Sequence, residues 1–207
     1  MRLSIANAKA IRFACLNFHY AKAIPSVQYG FNVYNDANEW CGVICYGSGA
    51  TANISKPFDL CQGEVLELVR VALNGKQKTT SECVAASLRM LHKINPIVKI
   101  IVSYADIDQD HAGTIYQATN WIYLGRMNEN QRGAFIINGK KTHPRSVGTK
   151  GGVQSLQWVR ENLDLNATEF ITKGKHKYIF VFSKRLRKKW LKMSVPYPKK
   201  EIPQTDS

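Results

Sequence analysis

Residues 27 to 34 alternate, with Val27, Tyr29, Phe31 and Val33 on one face and Gln28, Gly30, Asn32 and Tyr34 on the other. That period of two marks a half-buried strand. The polar turn Asn35-Asp36-Ala37-Asn38 leads into a second run, Trp40 to Tyr46, and the two predict an antiparallel hairpin. After a loop bearing Gly, Ser and Pro at 48–62, Glu64 to Leu73 is a third strand, dense in Val and Leu. Thr79 and Glu82 have capping-box spacing, and Val84, Leu88, Leu91 and Ile94 recur as a buried helical stripe that Pro96 closes. Ile97 to Val102 is almost wholly apolar, as a strand covered on both faces must be. Strand, helix and strand in that order imply a right-handed crossover and a parallel pair.

A shorter helix is predicted from about Ala112 to Asn120, and Trp121-Ile122-Tyr123 begins another strand. Past Gly139 the pattern weakens to a helix within 151–163 and a strand from Lys177 to Phe182. The fold class is α/β: a mixed, mostly antiparallel sheet flanked by helices, with one parallel strand-helix-strand crossover. Residues 1–150 read as one domain and 151–207 as a basic C-terminal extension. Between Lys173 and Lys200 stand 11 Lys or Arg and no acid.

Composition sharpens this picture in two ways. Lys and Arg total 29 against 15 acidic residues, a net charge of +14, which favours polyanions, nucleic acid first and anionic membrane second. The 5 cysteines form no C-x-x-C pair, which argues against a disulfide framework and a zinc ribbon and leaves them as small core residues. No signal pattern or membrane-length apolar run is present, so a cytoplasmic location is expected.

Candidate chemistry gathers in three places. Lys76 and Lys78 flank the helix opening at Thr79, whose free N–H groups and dipole suit the phosphate of a nucleotide-type acyl carrier. Arg70 lies inside an apolar strand, where a guanidinium needs an acidic or carbonyl partner; Glu67 is one. Ser103, Tyr104, Asp106, His111, Tyr116 and Asn120 follow the buried parallel strand, where ligands collect in open α/β sheets. Tyr116 and Asn120, four apart, would share a helix face. His111 with Asp106, Asp108 and Asp110 is a conceivable metal set but lacks a recognised ligand spacing. His19 and Tyr20 carry no signal of their own.

The blocks His19-Tyr20-Ala21-Lys22, Glu67 to Leu73, Ser103-Tyr104-Ala105-Asp106 and His111 to Gly125, with His143 and Arg145, resemble the Mom family of phage DNA-modification proteins over residues 15 to 147. The resemblance implies a GNAT acetyltransferase-type fold and conversion of adenine in DNA to an N6-carbamoylmethyl derivative, which protects phage DNA from restriction. It implies functional roles for His19, Tyr20, Arg70, Asp106 and Tyr116, double-stranded DNA and an acyl-group donor as partners, and an iron requirement proposed for the family; a homodimer is left open. On this reading Asp106 accepts the N6 proton and Tyr116 protonates the leaving group. Arg70 holds a carboxylate or phosphate, and His19 and Tyr20 border the base. One departure stands out: the acetyltransferase phosphate loop, Arg/Gln-x-x-Gly-x-Gly/Ala, is absent from Asn74 to Ser81. The donor is therefore acetyl-CoA or another activated carrier. Two rivals remain, an ordinary N-acetyltransferase of a protein or small amine, and a non-catalytic nucleic-acid-binding protein.

Overall fold

The structure is a computed structural model and describes residues 1–49, 53–148 and 153–199. The chain divides into two units.

The first unit comprises residues 1–104, 113–125 and 177–199. Its strands belong to a seven-stranded sheet of order β1-β2-β3-β4-β5-β10-β6, where β1 is Arg2–Ile5, β2 Tyr29–Tyr34, β3 Trp40–Gly47, β4 Val65–Leu73, β5 Ile100–Asp106, β6 Ile122–Met127 and β10 Lys175–Val181. Pairing is antiparallel from β1 to β4 and parallel between β4 and β5. The hairpin, the third strand and the crossover are as the alternation predicts.

Helix α1 (Ala8–Asn17) is not among the elements the sequence pattern predicts. Asn7 caps it by accepting from the Ala10 N–H, and Ala14 packs with Val43, Cys45 and Ala72 on one face of the sheet. Helix α2 (Thr80–Ile94) meets the opposite face, where Tyr46 OH lies 2.6 Å from Ser87 Oγ. Thr79 caps α2 by accepting from Glu82 N–H at 3.2 Å, as its spacing predicts. The buried stripe is Cys83, Val84, Ser87, Leu88 and Leu91; Ile94, at the helix end, is exposed instead. Four of the five cysteines (15, 41, 45 and 83) are buried, and Cys61 is exposed.

The stretch read as a C-terminal extension is shared between the units, and residue 150 itself lies outside the described residues. β10 lies between β5 and β6, because Tyr178, Ile179 and Val181 form an apolar strand partly masked in sequence by Lys175 and Lys177. Helix α6 (Lys184–Leu191) then places Trp190 against Phe58, edge to face at 4.9 Å, in a core with Val65, Ile100, Val102, Ile122 and Ile179.

The second unit holds residues 105–112 and 126–176 among those described. Its three-stranded sheet has the order β8 (Lys140–Thr142), β7 (Gln131–Ile137), β9 (Thr168–Thr172). Phe135 of β7 packs with Val147 of α4 (Pro144–Gly148) and Val159 of α5 (Leu156–Asn162). Among the described residues no helix is long and apolar enough to cross a membrane.

Trp190→Ala removes a buried indole from the first unit and should destabilise the protein by about 3–5 kcal/mol. Urea unfolding checks this, since a detachable arm would unfold with an unchanged midpoint.

Candidate active site at the parting of two strands

Parallel pairing of β4 with β5 runs through Val65–Ile100, Leu66–Ile101 and Glu67–Val102 and ends there, although β4 continues to Leu73 and β5 to Asp106. A bulge in β4 falls at the same place: Cys45 opposes Arg70 while Tyr46 opposes Leu68, leaving Val69 as the extra residue. Where the ladder stops, a side chain takes over. Ser103 Oγ lies 3.1 Å from the Leu68 carbonyl and 2.9 Å from Tyr116 OH. A carbonyl only accepts, so the single Ser103 proton goes to Leu68, and Tyr116 then donates to Ser103.

Tyr116 is brought there by α3 (Thr114–Ala118). Gly113 starts that helix with φ +76°, and a Cβ on it would stand 2.4 Å from the Tyr178 ring, so only glycine allows so close an approach. Tyr178 in turn lies 5.1 Å from the Tyr116 ring, and Gln117 donates to Tyr178 OH. Burial above all, with the Tyr20 phenol and the Glu67 carboxylate adding to it, pushes the Tyr116 phenol up to about 12 against a lowering by the Ser103 hydrogen bond. Glu67 also acts on Tyr104, which burial raises. At neutral pH the Tyr116 group is a fully protonated, directed donor.

His19 and Tyr20 follow α1, with rings 4.3 Å apart. His19 Nδ1 accepts from the Ala21 N–H, which leaves Nε2 as the protonated nitrogen of the neutral ring. Arg70 is half-buried on the α1 side of the sheet. It donates to the Val69 carbonyl at 2.8 Å, yet its Nε is buried without an acceptor. The Cys15 and Cys45 thiols are hydrogen-bonded to each other; that bond lowers Cys15 and, with burial, raises Cys45, while the guanidinium is a smaller lowering influence on both. A buried cation with an unspent donor is suited to a carboxylate or phosphate.

The sequence matches the Mom protein family over residues 2–199. The chain belongs to that family. The match takes in β10 and α6, beyond the region of resemblance read from the blocks above. The Methylcarbamoylase mom of Escherichia phage Mu is 25% identical over 190 residues, covering 87% of this chain and 76% of that protein. Among solved structures, a variant of the Vibrio cholerae spermidine N-acetyltransferase is similar over 91% of this chain and 99% of its own, at 10% identity and a TM-score of 0.50. A Bacillus subtilis acetyltransferase in complex with CoA is similar over 88% and 99%, at 8% identity and 0.50. The fold is that of the GNAT acetyltransferases, as the order of strands and the family resemblance imply.

Of the residues to which the Mom resemblance gives roles, Tyr116 and Tyr20 lie in the first unit; Tyr116 is hydrogen-bonded to Ser103, and the charges of Tyr20 and Glu67 act on it, Glu67 acting on Tyr104 as well. Glu67 was noticed only as a partner for Arg70, because a carboxylate in an apolar strand gives no other signal. Asp106 belongs to the second unit, and its carboxylate accepts from the Asp108 N–H, capping a short 3-10 turn. Asp108 is held by Thr172 Oγ1 and the Lys173 N–H. Among the described residues no three His, Cys, Asp or Glu side chains gather as a metal-ligand set, so the donors present do not fit an iron site. Asn120 does not share a helix face with Tyr116. The helix ends at Ala118, and Asn120, at φ +61°, takes two hydrogen bonds from Arg187. Lys76 Nζ is 3.6 Å from Glu39 of the β2–β3 turn, both groups exposed, while Asp36 of that turn is lowered chiefly by the N-terminal amine, with Lys78 a minor influence.

Three buried phenols have alkaline consequences. Tyr116 and Tyr178 are raised from 10.0 to about 12, and Tyr46 is raised by burial as well. Their folded values exceed the unfolded one, so their stabilising contribution is complete below pH 10 and is lost as pH rises through about 12. Melting temperature should fall steeply over that window, and Tyr116→Phe should flatten the fall. Parallel curves for the two proteins would contradict the burial of this phenol.

Proposed function

We propose that this protein is an acyltransferase-type enzyme that modifies DNA, converting adenine to its N6-carbamoylmethyl derivative and so protecting phage DNA from restriction. Membership of the Mom family supports DNA modification, and the acetyltransferase fold supports transfer from an activated carrier. The observation that carries the reading is Tyr116, a buried, protonated phenol fixed by Ser103 where the two parallel strands part.

The exocyclic amine of adenine is a weak nucleophile, its lone pair being delocalised into the ring. As the N6 nitrogen bonds to the donor's activated methylene carbon, that carbon's bond to the leaving group breaks, N6 loses a proton and the leaving group gains one. Tyr116 supplies that second proton or stabilises the developing negative charge. Two carboxylates are candidates for the first: Asp106, from the family resemblance, and Glu67, whose charge already acts on Tyr116. Arg70 holds a carboxylate or phosphate of donor or DNA, and Tyr20 stacks at the border of the base with His19. Reaching N6 in a duplex requires extrusion of the base, at a cost of a few kcal/mol. Phosphate contacts from the basic residues past 173 offset that cost and make binding steeply salt-dependent.

The CoA held by the Bacillus subtilis structure supports an acyl-CoA donor. The loop from Asn74 to Ser81 lacks the usual phosphate-binding glycines, and its Lys76 pairs with Glu39, so another activated carrier remains an alternative.

Mass spectrometry of nucleosides from plasmid DNA of expressing cells tests the reading. The wild type should yield the modified adenosine, and Tyr116→Phe should reduce it at least about 100-fold. Asp106→Asn isolates charge from structure, because asparagine caps a helix as well as aspartate does; it should lose modification with an unchanged melting temperature. Unmodified adenosine from the wild type, with acetylation of a small amine instead, would favour the N-acetyltransferase reading.

A further inference from the structure

A groove of about 610 Å³ in the first unit lies away from Tyr116. It opens at the start of β5, beside Val98 and Lys99, whereas Ser103 stands four residues further along, roughly 13 Å at strand rise. Its volume suits a nucleotide-sized ligand.

The lining separates into three parts. Val98 and Leu186 are apolar. His92 and Phe182 are stacked with their planes 9° apart and centroids 4.3 Å apart, and His92 Nδ1 is buried without a partner. Lys99, Arg185 and Lys189 supply positive charge. A planar aromatic stack flanked by cations suits a base with its phosphates, and neutral apolar ligands would leave the cations unused.

Helix α6 strengthens the case for a strand over a single nucleotide. It has five cations in eight residues, Lys184, Arg185, Arg187, Lys188 and Lys189, and no acid. Lys184 with Lys188, and Arg185 with Lys189, are like-charge pairs four apart, which repel unless a polyanion lies across them. Asp59 pairs with Lys189 at 3.3 Å but is largely exposed and displaceable.

We propose that this groove is a second nucleic-acid subsite, which seats one unstacked base of a DNA strand against the His92–Phe182 stack, with the flanking phosphates on Lys99, Arg185 and Lys189. The proposal rests on DNA being the substrate and deepens it by giving DNA a hold separate from the reacting adenine.

Two measurements on the full chain test it. First, an oligonucleotide carrying 5-iodouracil is irradiated in complex with the protein, and the adducts are mapped by mass spectrometry. Adducts at His92 or Phe182 are expected, and adducts found elsewhere alone overturn the subsite. Second, anisotropy with a labelled oligonucleotide compares R185E/K189E with K184E/K188E, an equal charge change on the same helix outside the groove. Both pairs should weaken binding, the first at least tenfold more than the second; equal losses overturn the proposal in favour of diffuse attraction. If deoxyadenosine monophosphate binds as tightly as the oligonucleotide, the groove belongs to a free nucleotide and the strand assignment fails. A wild type that binds no DNA sinks the DNA reading itself, whereas DNA binding indifferent to R185E/K189E sinks only the subsite.

Discussion

Two strands that start as a hydrogen-bonded parallel pair and then separate govern this protein's chemistry. Beyond Glu67 and Val102 the backbone groups of β4 and β5 no longer serve each other, and backbone polar groups left buried without partners are costly. Ser103 answers that cost at Leu68 with its hydroxyl, and so becomes the acceptor that holds Tyr116. The same gap that would weaken an ordinary sheet admits a phenol, with the Glu67 charge near it. Gly113 is the other half of the arrangement, since any side chain there would collide with Tyr178 and push α3 away.

Around this point the electrostatics are graded. Arg70 is a half-buried cation whose Nε has no acceptor, a fixed positive group near the sheet. Further out, α6 joins five cations to a tryptophan that is 6% exposed, so the helix is both anchored and charged. Arg187 reaches back to Asn120, just after the helix that carries Tyr116. The basic surface is therefore built into the unit that holds Tyr116. Deleting it as if it were a tail would remove a sheet strand and a core residue.

Much of the frame was legible because burial imposes period. The 27–34 alternation, the Thr79 cap and the apolar run before Ser103 each reflect a local rule that the fold does not override. What escaped has equally physical reasons. The strand at Lys177–Phe182 was legible, but its position between β5 and β6 depends on partners distant in sequence. The Tyr116–Asn120 face failed because a left-handed residue ends the helix early. Glu67 lay hidden in a run of aliphatic residues, as only three-dimensional placement shows its charge acting on Tyr116 and Tyr104. The exposed contact of Lys76 with Glu39 likewise joins residues far apart in sequence.

The most direct test of the arrangement is an NMR titration with tyrosine labelled at the ring Cζ. The Tyr116 resonance, assigned with Tyr116→Phe, should stay protonated past pH 10 and titrate near 12. On ionisation the Ser103 proton turns from Leu68 to the phenolate in a stronger, charge-assisted bond, so Ser103→Ala should move that midpoint higher still. A Tyr116 that titrates near 10, or one indifferent to loss of the serine hydroxyl, would contradict the account.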